Sequence, residues 1–216
     1  MTTNKTLSAS EILTLYMDYV VEYHDKPESV ASFSETHHFE EELFYSHFTS
    51  FKDLEKHIYL LLFDNSVAIL KQTPEYISFA KKDKLLSLYY TFFENLSLNQ
   101  EFIKINLKGF ENQLKALSVF SKFKRSFSEF MDKLDLETLN LNVDTIENIQ
   151  KKTIKESAWV QLLFTMKFWL DDTSEAFEKT DIFIEKSLNT SFELLNTKSL
   201  NNIIDLAKFL YKEKVK

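Results

Sequence analysis

Two groups of side chains near the start of the chain belong to types that can carry out chemistry. All five histidines lie at positions 24, 37, 38, 47 and 57, and three consecutive glutamates occupy positions 40–42. Histidine and carboxylate groups can bind a metal ion or exchange protons near neutral pH. No two histidines have the His-x-x-x-His spacing that places two ligands on one helical face, and no nucleophile motif accompanies the glutamates. We therefore predict no metal site, and we interpret residues 40–42 as the solvated start of a helix.

The residue types that the chain lacks exclude several further kinds of site. Its 216 residues include no cysteine, which rules out thiolate catalysis, disulfides and cysteine-bound zinc or iron–sulfur clusters. A single glycine, Gly109, leaves no glycine-rich loop for nucleotide phosphates. With only two prolines as well, the chain has few of the turn residues that hairpins require. We predict an all-α protein that is not an enzyme and uses no cofactor.

Charge is distributed unevenly along the sequence. The net charge is −7, and the first 60 residues account for all of it, with four lysines against eleven acidic side chains. The remaining residues hold 22 basic and 22 acidic side chains. This break near residue 60 indicates two functional parts. The polar first ten residues and the absence of an apolar run of about 18 residues predict a cytoplasmic protein.

Apolar spacing predicts three short helices followed by a long one in the first part of the chain. Ser10, Ser29 and Ser50 are the expected N-caps of the first, second and fourth helices. Pro27 should stop the first helix, and residues 37–39 should form a tight turn. The predicted helices span residues 11–23, 29–35, 40–47 and 50–73.

The second part of the chain should also be helical, with predicted helices at 82–97, 99–108, 112–134, 144–170, 174–196 and 199–213. Residues 159–170 are apolar on two sides, and a helix of this kind is either central in the fold or at a subunit interface. We therefore expect a homodimer formed by the helices around 157–170 and 181–196. The candidate interface side chains are Trp159, Leu163, Trp169, Ile184, Leu188 and Phe192.

Aromatic residues are abundant, with 32 of them in 216 residues. Core packing explains many of these rings, but few small residues fill the gaps between them, so a cavity for a flat or long apolar ligand is a second interpretation. The candidate pocket residues are Tyr89, Phe92, Phe93, Phe120, Phe123, Phe127, Phe164 and Met166.

The predicted last helix has one apolar face and several lysines near its end. Such a helix can dock on the rest of the domain or lie on a membrane surface, and both interpretations stay open. The apolar face consists of Leu200, Ile203, Ile204, Ala207, Leu210 and Tyr211.

Residues 11–63 resemble the helix-turn-helix domain of the TetR family of regulators. The resemblance rests on Ser29-Val30 with Phe33, the 37–39 turn, and then Phe44-Tyr45-x-x-Phe48-x-Ser50-x-x-x-Leu54. It implies a three-helix head over residues 1–55 that binds DNA, and a larger antiparallel helical domain over 56–216 that binds a ligand and dimerises. About nine or ten helices are expected in all. The DNA-contact candidates that the family pattern implies are Ser29, Tyr45, Ser46, His47 and Lys52.

The sequence departs from the family pattern where DNA would bind. The family opens its recognition helix with small and basic residues, but here residues 40–42 are glutamates, and no Arg, Lys, Asn or Gln occurs between positions 40 and 47. Phosphate neutralisation and base readout depend on those four residue types. In a second interpretation, the chain has the TetR-like fold but binds lipid instead of DNA. It then resembles the TetR-like lipid-binding protein of ubiquinone biosynthesis. The third interpretation is a helical protein that binds a macromolecular partner and no small ligand.

Overall fold

The computed structural model describes residues 6–108, 116–136 and 144–195 of the chain. Every regular element in these ranges is helical and no strand occurs in them, which confirms the predicted all-α class. None of the helices in this part of the chain combines the length and the hydropathy that crossing a membrane requires.

Nine α-helices lie within the described ranges. They are α1 (Ala9–Tyr23), α2 (Val30–His37), α3 (Glu41–His47), α4 (Phe51–Gln72), α5 (Lys81–Leu98), α6 (Gln100–Asn106), α7 (Ser121–Leu134), α8 (Asp144–Asp171) and α9 (Glu178–Leu195). Short 3-10 helices at Pro74–Ser78, Ala116–Phe120 and Glu175–Phe177 precede α5, α7 and α9. The predicted helix at 199–213 lies outside the described residues.

Side-chain capping explains the starts of α1, α2 and α4. Ser29 caps α2, where its hydroxyl accepts from the Ser32 amide at 3.1 Å, and the Ser50 hydroxyl accepts from the Asp53 amide at 3.2 Å. The prediction that Ser10 caps α1 is wrong, because Ser8 is the cap. The Ser8 amide donates to the Glu11 carboxylate at 2.7 Å, so a capping box fixes the helix start two residues earlier.

The predicted helix 174–196 is interrupted near its start. Ala176 and Phe177 have φ values of 48° and 60°, in the left-handed region that a right-handed helix cannot include. The buried Asp172 carboxylate accepts from the Thr180 amide at 2.9 Å and from the Thr180 hydroxyl at 2.6 Å. These bonds hold the first turn of α9 to the end of α8, and α9 consequently begins at Glu178.

The chain packs as two units, the first formed by the described residues of 1–68 and 94–126. In this unit α1 contacts α6, and α2 contacts α3. Phe33 is at the centre of its aromatic core, with edge-on contacts to Tyr16, Phe44 and Phe51 at centroid distances of 6.0, 6.5 and 5.7 Å. Burying these large rings is the main source of stability that fixes the three short helices on the start of α4.

The second unit consists of the described residues of 69–93 and 127–195. Here α8 packs against α9, and Trp169 is buried against Phe93, with their ring centroids 6.4 Å apart. Trp159 contacts Phe127 in the same core, with a centroid distance of 5.8 Å. The two tryptophans of α8 thus point into the interior of this unit.

Candidate functional site

The helix pair α2–α3 is joined by a tight turn at His38. His38 has φ 59° and ψ 48°, and its amide donates to the carbonyls of Glu35 and Ser34. The Phe39 amide donates to the Ser34 carbonyl at 3.1 Å. These bonds satisfy the last carbonyls of α2 and set the direction in which α3 leaves the turn. The predicted turn at residues 37–39 is confirmed.

All five DNA-contact candidates of the head are exposed. Two of them already have local roles, because Ser29 caps α2 and the Ser46 hydroxyl donates to the Leu43 carbonyl at 2.7 Å. His47 Nε2 lies 3.2 Å from the Leu7 carbonyl. Tyr45 and Lys52 have side chains that extend into solvent. The structure therefore leaves a phenol and an ammonium group as the most accessible donors of this set.

The start of α3 is strongly acidic at its surface. Glu40, Glu41 and Glu42 are all exposed, and Glu40 occupies the N-cap position without a side-chain cap bond. Carboxylates at a helix N-terminus interact favourably with its dipole. The same charges repel a phosphate backbone. This surface stabilises α3 and opposes non-specific contact with DNA.

A buried polar network lies beneath the head, and its centre is Glu55 of α4. Glu55 is only 7% exposed. Its Oε1 atom accepts from the Tyr16 hydroxyl and from Asn106 Nδ2, both at 2.8 Å. Lys26 Nζ lies 2.5 Å from the same oxygen, and the Tyr59 hydroxyl donates to Asn106 Oδ1 at 2.8 Å. The network connects α1, the α1–α2 loop, α4 and α6 within the first unit.

The phenols of this network remain neutral donors. Burial, together with the nearby Glu55 carboxylate, raises the pKa of Tyr16 and of Tyr59 well above the ordinary phenol value. Sequence reasoning missed this network, because Tyr16 belongs to an apolar stripe and Glu55 counted only as one acidic residue among eleven. Tyr16 and Asn106 lie 39 and 51 positions from Glu55 in the sequence, so no local spacing identifies them as its partners.

A second polar cluster ties α7 to the start of α4. Lys122 Nζ lies 2.9 Å from Asp53 Oδ1 and 2.7 Å from His57 Nε2. Lys122 thus contacts both side chains of α4, and His57 Nδ1 lies 2.9 Å from the Asp53 carbonyl oxygen. Burial by itself would raise the pKa of Asp53, but hydrogen bonds from Lys122 and the Thr49 amide hold that pKa below its usual value. The cluster positions the first turn of α4, which carries Lys52.

Seven of the eight pocket candidates are buried within packed cores. Phe120 and Phe123 belong to the first unit, where the Phe120 ring lies 4.8 Å from that of Tyr59. The second unit contains the other buried candidates, Tyr89, Phe92, Phe93, Phe127 and Met166. Phe164 is the exception, since 63% of it is exposed. The core-packing interpretation thus accounts for most of these rings.

A groove of about 570 Å³ lies on α8 and α9, and none of the eight pocket candidates lines it. The parallel rings of Phe168 and Phe183, with centroids 4.6 Å apart, form part of this groove. Its other lining residues are Lys179, Ile182, Lys186, Ser187 and Thr190. The groove is mainly apolar, with two lysines among its lining residues.

The interface candidates on α8 and α9 occupy the interior of the second unit. Trp159, Trp169, Ile184 and Leu188 are buried, and Leu163 and Phe192 are half-buried. Side chains that fill their own core offer little surface to a second copy. The exposed apolar side chains of these helices are instead Val160, Phe164, Phe168, Ile182 and Leu194.

Comparison with known proteins adds one match. The family model described as "Tetracyclin repressor-like, C-terminal domain" matches residues 84–210, which is more than half of the chain. No curated protein matches the sequence.

Proposed function

Because the chain belongs to the tetracyclin repressor-like (TetR) family, we propose that it is a dimeric transcriptional regulator. Residues 1–55 would form the DNA-binding head, and residues 56–216 would dimerise and bind an apolar small ligand. The observation that carries this proposal is the α2–turn–α3 arrangement, in which a tight turn at His38 positions α3 with an exposed outer face.

DNA contact is assigned to Ser29, Tyr45, Ser46, His47 and Lys52. Lys52 is the only permanent cation in this set, so a dimer would neutralise about two phosphates and show a shallow salt dependence. We expect no measurable binding to random duplex at physiological salt. Sequence preference would therefore depend on a few hydrogen bonds and on DNA shape.

The test is a selection from randomised duplexes followed by sequencing. Enrichment of a palindromic site with half-sites about one helical turn apart supports the regulator, since a two-fold dimer reads two half-sites. Recovery of no site contradicts DNA binding. Loss of the enriched site in the Tyr45→Phe and Lys52→Gln variants would assign the contacts to α3 and the start of α4.

The acidic start of α3 provides a second, quantitative test. Replacing Glu40, Glu41 and Glu42 with Gln should raise non-specific affinity by about tenfold at low salt, without creating a sequence preference. A matched control makes the same change in net charge at three exposed glutamates outside the head. It carries Gln at Glu94, Glu101 and Glu193. Equal effects of the two triple variants would contradict a local role of the head.

Dimerisation is assigned to the exposed apolar face of α8 and α9. Phe164 and its neighbours would leave a row of apolar side chains in water in an isolated subunit, and a two-fold pairing of the two helices would cover that row. Sedimentation of the wild type should give twice 25.6 kDa, and Phe164→Ser should shift the protein to the monomer. Leu98→Ser, at an equally apolar exposed site on α5, should not.

The lipid-binding function without DNA binding is the second candidate, and the acidic start of α3 favours it. In that case the native protein should carry an isoprenoid or other apolar molecule that mass spectrometry detects after organic extraction. Recovery of such a molecule together with an empty duplex selection supports this candidate. An enriched palindromic site supports the regulator instead.

A further inference from the structure

Large apolar side chains are exposed to solvent where α4 ends and α5 begins. Residues 69–84, which combine the last turn of α4, the connection and the first turn of α5, lie wholly in the second unit and include the 3-10 helix Pro74–Ser78. Ile77 is 78% exposed, and Ile69 and Phe79 are also exposed. The Phe79 ring contacts that of Tyr76, with centroids 5.9 Å apart. We call these 16 residues the α4–α5 tip.

Basic side chains flank the apolar ones along the sequence of the α4–α5 tip. The segment holds four lysines, at 71, 81, 82 and 84, against Glu75 and Asp83, which gives it a net charge of +2 in a chain of net charge −7. Lys84 Nζ lies 5.9 Å from the centre of the Tyr76 ring. Lys81 Nζ donates to the Asp135 carbonyl, which fixes the start of α5 to the end of α7.

This combination of exposed apolar side chains and flanking lysines matches the chemistry of an anionic membrane surface. Aliphatic and aromatic side chains enter the boundary between headgroups and acyl chains, and lysines stay among the anionic headgroups. A nucleic acid would be attracted to the lysines but would gain little from Ile77. We propose that the α4–α5 tip docks the protein on anionic membranes, with Ile77 and Phe79 entering the lipid. This inference is independent of the proposed regulatory function.

The expected strength of the interaction follows from these groups. Transfer of one isoleucine side chain out of water favours binding by about tenfold or more. Each lysine close to an anionic surface contributes about fivefold, and this contribution disappears on neutral lipid. Binding should accordingly be reversible, sensitive to salt, and dependent on anionic lipid.

Fluorescence of an introduced tryptophan measures insertion directly. The natural tryptophans, Trp159 and Trp169, are buried, so brominated acyl chains should not quench them. In the full-length Ile77→Trp variant, phosphatidylglycerol-containing vesicles with brominated chains should quench the new fluorophore and shift its emission to the blue. Leu98→Trp is the matched control, because Leu98 is also 78% exposed but lies at the opposite end of α5.

Vesicle co-sedimentation of the full chain supplies the second readout. Ile77→Ser should reduce binding by about tenfold, and Lys82→Gln by about fivefold on anionic vesicles only. Leu98→Ser should bind like the wild type. A wild type that binds no vesicles overturns the proposal, as does vesicle binding without quenching of Ile77→Trp, because contact would then occur through another surface such as the C-terminal segment.

Discussion

Replacing Glu55 with alanine should destabilise the protein substantially, because this side chain is the centre of a buried polar network in the first unit. The carboxylate is 7% exposed, and three donors from three different segments converge on its Oε1 atom. Truncation leaves the buried Tyr16 hydroxyl and the Asn106 amide without their acceptor.

The magnitude follows from the individual bonds. A hydrogen bond to a charged group contributes about 1.5–3 kcal/mol, and an unsatisfied buried donor costs about 1–3 kcal/mol. The Lys26 ion pair adds at most about 0.5 kcal/mol, since its side chain is 44% exposed and water screens it. Relief of the cost of burying a carboxylate offsets part of the loss. We therefore expect Glu55→Ala to lower the free energy of unfolding by about 3 kcal/mol.

Urea unfolding followed by far-ultraviolet circular dichroism measures this change, and a double-mutant cycle isolates its main component. Tyr16→Phe and Glu55→Gln should each cost about 1–2 kcal/mol. Their combination should cost less than the sum by about 1 kcal/mol, because Glu55→Gln removes the charge that strengthens the same bond that Tyr16→Phe deletes. Glu35→Gln, at an exposed site on α2, should change stability by less than about 0.5 kcal/mol.

Two results would refute this reasoning. A loss below about 1 kcal/mol for Glu55→Ala would mean that the network contributes little beyond what solvent supplies. Strict additivity in the cycle would mean that the Tyr16–Glu55 bond does not couple the two side chains.

Three further predictions concern the α8–α9 corner and the start of α2. Burial would raise the pKa of Asp172, but hydrogen bonds from Thr180 and Ser174 outweigh it and lower the pKa from 3.8 to about 2. This carboxylate therefore stabilises the fold above pH 4, and its contribution is lost as the pH falls from 4 to 2. Asp172→Asn should cost about 2 kcal/mol at pH 7 and flatten that part of a pH–stability profile. Ala176→Gly should raise the thermal midpoint, with a gain of up to about 1 kcal/mol, because glycine adopts φ 48° without strain. Ser29→Ala should cost about 1 kcal/mol in urea unfolding, because α2 loses its capping box.

Each of these three changes has an outcome that would contradict it. An unchanged acid profile in Asp172→Asn would show that another group determines stability below pH 4. A destabilised Ala176→Gly variant would mean that chain entropy outweighs the relief of backbone strain. Ser29→Thr retains a capping hydroxyl, so a loss equal to that of Ser29→Ala would indicate a cause other than capping.

Local signals in the sequence predicted the helices and several of their ends. The apolar period of 3.6 residues and the hydroxyls of Ser29 and Ser50 act over four residues or fewer, so they can be read directly from the chain. The turn at 37–39 was predictable for the same reason. Capping at Ser8 was the exception, because Ser8 and Ser10 are both suitable caps and only the bond from Ser8 to Glu11 decides between them.

Tertiary structure decided which apolar side of α8 faces the core. The sequence shows two apolar stripes on this helix, and periodicity gives them equal weight. In the structure Trp159 and Trp169 are buried against Phe127 and Phe93, whereas Phe164 is exposed. The choice depends on partners from α5 and α7, which lie far away in sequence, so it could not be read from α8 alone.

The polar chemistry of the head shows the same division between sequence and structure. Composition alone established the acidic start of α3, the absence of cysteine and the lack of phosphate-binding loops, because these are properties of residue types. The network at Glu55 joins residues from α1, α4 and α6 that share no local pattern. Only chain folding brings the Tyr16 hydroxyl and the Asn106 amide each to 2.8 Å from the Glu55 carboxylate, because buried polar groups need partners that solvent no longer supplies.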